Sequence, residues 1–248
     1  MNQTKLYIQR NLEVHLALLG RKNPLCKSHR AFPLDEAKMP LFNLRTMVSR
    51  EERIAAISNV INWLDVEISH RYTPTQSATF CNIYAYDVAF CLGCYIPRVW
   101  WRADLTDRLV AGDKIDVRYG ETVFEMNCNN LFYWFEKFGV YFGWVKCNSD
   151  HGIQSFVDQG TVAVVIARNR KDHLSGHIAI VIPHEGSNMK SKDHNMLLQS
   201  QAGRVNKRNF YDKWWEDNCF AEFSFWVFTR TPEFTDTSLR DGVGTYKS

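Results

Sequence analysis

The chain has no long apolar run, no strong excess of one charge, no internal repeat and no even set of cysteines, and each absence removes a class of protein. Its opening residues, MNQTKLYIQRNLEVHLALLGRKNP, scatter polar and charged side chains among apolar ones. That pattern provides neither a signal-peptide core nor a membrane span, so the expectation is a soluble chain synthesised in the cytoplasm. Lys and Arg number 30 against 27 Asp and Glu, a formal charge of +3. This is too near balance to argue for nucleic acid as a partner. The seven cysteines (Cys26, Cys81, Cys91, Cys94, Cys128, Cys147 and Cys219) are odd in number and unevenly spaced. They argue against a closed disulfide framework and leave at least one thiol free. Metal motifs are lacking too. The CLGC of Cys91 and Cys94 has no matching second pair, since Cys128 and Cys147 stand too far apart, and these two thiols are expected in the core. The histidines His29, His70, His151, His173, His184 and His194 are scattered in loop-like text and form no HExxH pair. Of these only His70, close to Cys81 in sequence, is a candidate to face a substrate.

What is present is apolar mass: 45% of the 248 residues are hydrophobic and 14% aromatic, enough for a sizeable core. Residues 1–48 mix charge, proline and short apolar runs, and are expected to be an extension packed over the core. A single domain should follow over 49–232, and 233–248 form a polar tail. From Ser49, SREERIAAISNVINWLDVEIS carries a capping serine, early glutamates and Ile54, Ile57, Val60, Ile61 and Leu64 at helical spacing. The proline and hydroxyl residues of HRYTPTQSAT predict an exposed turn, leading into a mostly apolar and therefore buried helix at about 80–92. A third helix is predicted after a cap at Asn127 to Asn130, with Leu131, Trp134, Phe135 and Phe138 on one face and Gly139 as its stop.

Beyond Gly160 the pattern changes. TVAVVIARN and GHIAIVIP are β-branched runs joined by the charged turn RKDHLS, predicting adjacent antiparallel strands at a sheet centre. MLLQSQAG and FSFWVFTR supply two more strands. Helices followed by an antiparallel sheet make the fold class α+β. Paired tryptophans in PRVWWRADL and YDKWWEDNCF are expected to close core edges, with a groove lining as the alternative.

Cys81 stands where a polar run stops and an apolar helix begins. A thiol in the first helical turn faces unpaired backbone amides and the positive end of the helix dipole, which favour thiolate. The same amides can hold an oxyanion. A small buried hydrophobe is the alternative role for such a cysteine. His177 opens an otherwise apolar strand just after Gly176, and a general base for a thiol is one reason for an imidazole there. The alternation of HIAIVIP puts Ala179 and Val181 on its face and Ile178, Ile180 and Ile182 on the other. A third polar group should orient the ring: Gln201 is preferred because a glycine follows closely, and Gln199 on the same strand face is the alternative. Tyr72 and Gln76, in the loop before Cys81, and Asn82, just after it, are candidates for binding the oxyanion or substrate. Asp87, off the helical ridge of Cys81, is expected to be structural.

The segments TFCNIYAYDV at 79–88, SGHIAIVIP at 175–183 and QSQAG at 199–203 together resemble the NlpC-like branch of the papain-fold cysteine peptidases, over about residues 77–203. Within that branch they are similar to cell-wall hydrolases, including peptidoglycan hydrolase effectors of type VI secretion. The family's commoner Asp-Cys-Ser-Gly is here Phe80, Cys81, Asn82 and Ile83. The resemblance implies a papain-like fold with helices on a central antiparallel sheet. It also implies attack by Cys81 on an amide of the peptidoglycan peptide stem, usually between D-glutamate and diaminopimelate, with His177 as base and Gln201 or Gln199 as orienter. No cofactor or metal is implied. Without an export signal, the expected route is injection by a contractile secretion machine into the periplasm of a target bacterium. A carrier in that apparatus and a cognate immunity protein are the implied partners, and the enzyme would act as a monomer. An N-acetylmuramoyl-L-alanine amidase or phage-type lysin using the same dyad, and a non-catalytic wall-binding module with Cys81 in its core, are the alternatives.

Overall fold

The computed structural model describes residues 3–14, 34, 38–185 and 196–229; Cys26, His29, His194 and the tail at 233–248 lie outside the described residues. The helices are α1 (Gln3–Leu12), α2 (Arg50–Leu64), α3 (Cys81–Cys91), α4 (Ala103–Ala111), α5 (Cys128–Phe138) and α6 (Ile153–Val157). The strands are β1 (Val99–Trp101), β2 (Val123–Glu125), β3 (Trp144–Cys147), β4 (Ala163–Asn169), β5 (His177–Val181), β6 (Leu198–Gln201), β7 (Lys207–Tyr211) and β8 (Phe220–Phe228). The fold is α+β. Strands β1 and β2 form a small antiparallel ribbon, and the other six form an antiparallel sheet in the order β3-β8-β4-β5-β6-β7.

Helix α2 starts where the sequence says it should. The Ser49 hydroxyl accepts from the Glu52 N–H at 3.1 Å while the Glu52 carboxylate accepts from the Ser49 N–H at 3.4 Å, a reciprocal cap. Its apolar face, Ile54, Ile57, Val60, Ile61 and Leu64, is buried. Helix α5 is capped by the Asn127 side chain, which accepts from the Asn130 N–H at 2.9 Å. The α-helix ends at Phe138 with Gly139 as its C-cap, as expected, but Gly139 is right-handed and leads into a 3-10 turn through Phe142, and the left-handed residue that ends the whole helical run is Gly143, at φ 96°.

Strands β4 and β5 pair as an antiparallel hairpin, Ala163 opposite Val181 through Ala167 opposite His177. With β8 on its other side, β4 lies between two neighbours. Its Val164 and Ile166 join the larger core with Ile178, Ile180, Ile182 and helices α2, α3 and α5, while Ala163, Val165 and Ala167 join a smaller core with Val181, α6 and Trp215. The sheet thus has helices on one face and a thinner cover on the other. Three elements have no counterpart among the expected strands: β3, β7 and the ribbon. Lys207–Tyr211 carries two cations in five residues, which suits β7 because it is an edge strand. Helix α1 lies against α4, and Leu12 and Val14 are buried, with the Leu12 carbonyl accepting from the Trp101 indole at 2.9 Å.

Candidate active site

Cys81 occupies the first position of α3. The residue before it, Phe80, has no side chain able to cap the helix, and the first intrahelical backbone bond runs from Tyr84 N–H to the Phe80 carbonyl at 3.0 Å. The N–H groups of Cys81, Asn82 and Ile83 therefore have no partner within the helix. They gather at its positive end beside the sulfur.

His177 opens β5, and its position is set by its neighbours. A Cβ on Gly176 would overlap the Ala167 carbonyl oxygen and come within 2.9 Å of Asn129 Oδ1, so only glycine passes between β4 and α5 there. Buried Asn129, in the first turn of α5, donates to the Leu174 carbonyl at 2.8 Å and accepts from the Asn169 N–H at 3.0 Å. The turn leading to His177 is thereby clamped to α5. On the far side of the ring, Nε2 lies 2.6 Å from Gln201 Oε1. Gln201 Nε2 points to the Val205 carbonyl at 3.5 Å, so its oxygen is the atom that faces the imidazole. Nε2 therefore carries hydrogen, which leaves Nδ1 free of Gln201, and Cys81 is close enough to raise the pKa of the ring.

The electrostatics follow. A hydrogen bond from the Cys128 thiol is the largest influence on Cys81; burial opposes it, and the charge and hydrogen bond of His177 with the Ile178 N–H add to it, bringing Cys81 well below the ordinary thiol value of 9.0. Burial pulls the His177 pKa down, but the Cys81 thiolate and Gln201 outweigh it and hold the imidazolium above its ordinary 6.5. Both shifts run in the direction of a thiolate and imidazolium pair.

Cys128 is the residue that sequence reasoning missed. It opens α5 as Cys81 opens α3, and the two sulfurs are 3.3 Å apart. The geometry allows either sulfur to donate, and Cys128, its own pKa pushed up first by the bond to Cys81 and then by burial, is the one that keeps its proton more readily. The signal available was a cysteine directly after a helix cap, the pattern already used for Cys81. The other described thiols differ. Burial raises Cys91 to about 12 and Cys147 to about 11, and raises Cys94 as well, as expected for the core. Among the described residues, no group of three His, Cys, Asp or Glu is placed to hold a metal ion.

Of the two glutamines, Gln201 meets the ring and Gln199 does not. Fully buried Gln199 donates to the Asp212 carbonyl at 2.8 Å and accepts from the Trp214 indole at 2.8 Å. Trp214 in turn meets His177 edge to face, centroids 4.6 Å apart. The paired tryptophans at 214 and 215 therefore divide: Trp215 is core and Trp214 walls the imidazole. Trp100 and Trp101 are both buried in the core and also border a cleft between α4, β2 and α5.

The candidates flanking Cys81 differ in what already holds them. The Tyr72 hydroxyl is buried and donates to Asp87 Oδ2 at 2.8 Å, part of a cluster in which Arg71 grips the same carboxylate at 2.6 and 3.0 Å, so it is not available to an oxyanion. Asp87 is structural, as its position on α3 implied. Gln76 is exposed, and its backbone carbonyl, rather than its side chain, is tied to the neighbouring loop by Arg204 at 3.1 Å. The Asn82 side chain donates to the Met126 carbonyl at 2.7 Å, leaving its backbone N–H as what it offers the site. His70 is exposed in a 3-10 turn beginning the loop. No protein-family model, curated protein or solved structure matches this chain.

Proposed function

We propose that the protein is a cysteine peptidase of peptidoglycan, an NlpC-like papain-fold enzyme that hydrolyses an amide in the peptide stem, delivered into a target bacterium as an antibacterial effector. The observation that carries the chemistry is the 2.6 Å contact of His177 Nε2 with Gln201, which leaves the other ring nitrogen for a sulfur at a helix tip. The substrate and delivery rest on the resemblance of the three segments to wall hydrolases. No helix among the described residues is long and apolar enough to cross a membrane.

The reaction proceeds in two halves. Cys81 thiolate attacks the carbonyl carbon, and the oxyanion is held by the free N–H groups of the α3 first turn. Collapse breaks the C–N bond as His177 gives its Nδ1 proton to the departing amine, leaving a thioester. Water then gives a proton back to His177 and its hydroxyl to the acyl carbon, and Cys81 leaves as thiolate. Gln201 keeps the ring in the required tautomer and orientation throughout. A cleft of about 340 Å³ lined by Trp101, Phe124, Met126, Asn130 and Lys137 has none of Cys81, His177 and Gln201 in its walls, and Asn82, donating to the Met126 carbonyl at its edge, is the link between the two.

Digestion of purified peptidoglycan, followed by mass spectrometry of the fragments, tests the proposal. The expected products are stems cut between D-glutamate and diaminopimelate, absent with Cys81→Ala. Stems freed whole from muramic acid would make the enzyme an amidase. No cleavage by wild type, or equal cleavage by folded Cys81→Ala, would overturn it.

A further inference from the structure

Two cysteines from separate helices meet at one point. The Cys81 and Cys128 sulfurs are 3.3 Å apart, each in the first turn of an 11-residue helix, and both residues are buried. Two helix N-termini thus converge on one sulfur pair, and a base, His177, stands beside it. An S–S bond is about 2.05 Å long, so closure needs an approach of little more than 1 Å from two side chains already in contact. The hydrolysis needs only one thiol. The second sits where a resolving cysteine must be for an oxidised partner to be captured before further oxidation.

We infer that Cys81 and Cys128 form a hydroperoxide-reactive dithiol site that closes reversibly to a disulfide and thereby withdraws the nucleophile. In the first step Cys81 thiolate attacks one peroxide oxygen: an S–O bond forms, the O–O bond breaks, and the departing hydroxide takes a proton from His177 to leave as water. Cys81 is then a sulfenic acid. In the second step Cys128 gives its proton to the S–OH oxygen and its sulfur attacks Cys81: the S–S bond forms, the S–O bond breaks, and a second water leaves. Both sulfurs are oxidised by one electron each and the peroxide is reduced by two. A dithiol reductant reverses the outcome by exchange. The low pKa of Cys81 supports its role as the attacking sulfur, and the raised pKa of Cys128 suits a proton donor in the second step. Cys91, Cys94 and Cys147 are buried with raised pKa values, and Cys219 is exposed with a raised one, so none of these four competes as the thiolate.

The inference rests on Cys81 being the reactive thiolate of the proposed function and on nothing about the substrate, so mass rather than hydrolysis is the readout. The full chain is treated with one equivalent of hydrogen peroxide, quenched, unfolded, alkylated and mapped by protease digestion. The expected result is the loss of two alkylatable thiols, a cross-linked Cys81 and Cys128 peptide lighter by two hydrogens, and return of both thiols with dithiothreitol. In Cys128→Ala, treated with two equivalents of peroxide, Cys81 should pass through sulfenic acid to sulfinic acid, which dithiothreitol does not reverse. Wild type showing Cys81 as sulfenic acid at one equivalent, or as sulfinic acid at two, with Cys128 still alkylatable, or a bridge through Cys219 instead, would overturn the inference. Both outcomes are read in wild type, so they stand even where the alanine variant does not fold. An enzyme found inactive on peptidoglycan while still forming the bridge would sink the proposed function and leave the dithiol site intact.

Discussion

Replacing Gln201 with alanine removes the acceptor that faces His177 Nε2 at 2.6 Å and leaves that N–H without its partner. A hydrogen bond to a charged group contributes about 1.5–3 kcal/mol. The imidazolium half of the pair loses that contribution, while neutral histidine loses less. Because the ring is only half-buried and water can reach part of the vacated space, the low end applies. At about 1.4 kcal/mol per factor of ten, the thiolate population on the acid limb should fall about tenfold. The assay is the rate at which iodoacetamide modifies Cys81, followed by mass spectrometry across pH, which needs no substrate. Gln201→Glu keeps an oxygen toward Nε2 and adds charge, so it should restore or exceed the wild-type rate on that limb. A folded Gln201→Ala protein whose profile overlays wild type would refute the assignment of Gln201 as the residue that holds the imidazolium.

Other outcomes follow from the same geometry. Cys81 titrates below its ordinary 9.0 and His177 above its ordinary 6.5, so alkylation should switch on as pH rises through the first value, while hydrolysis should also fall as pH rises through the second and the imidazolium is lost. His177→Ala should remove the basic limb and move the onset of alkylation upward. In Gly176→Ala the strand start must shift away from the Ala167 carbonyl. A displacement of about 1 Å at His177 should lower kcat/KM about 100-fold, beyond a stability loss of about 1–3 kcal/mol seen in thermal melts. Asp87→Ala removes a fully buried carboxylate that pairs with Arg71, itself 14% exposed, and accepts from Tyr72. Breaking such a pair costs about 3–5 kcal/mol, and urea denaturation should report it; unchanged stability would contradict the structural role given to Asp87.

The sequence made visible what is encoded locally. Ser49 and Glu52 spell a reciprocal cap, Asn127 announces α5, and the β-branched runs around RKDHLS declare the β4–β5 hairpin. Cys81 and His177 were legible because each is chemically out of place: a thiol at a helix start, an imidazole opening an apolar strand. Helix α4 was hidden because Arg102 gives it no capping side chain, and the tryptophans before it drew attention to packing. Ribbon strands of three residues are too short to show a period. Cys128 carried the local signal of a thiol after the Asn127 cap, but spacing could not show that its sulfur meets that of Cys81, 47 positions away. The choice between Gln199 and Gln201 was likewise tertiary. Both share a face of β6, and only their distances along it to His177 and Trp214 separate them.

Strand β6 is four residues long, yet it serves three masters. Gln201 reaches the imidazole, Gln199 anchors the indole beside it, and Ser200, pointing the opposite way, meets the hydroxyl of Tyr84, on the same helix as Cys81, at 2.6 Å. Sliding this short ribbon by a single step would send the two amides into the helical layer and the hydroxyl out toward the tryptophan, undoing every connection at once. The alignment of β6 with β5 is therefore a condition of chemistry as much as of folding.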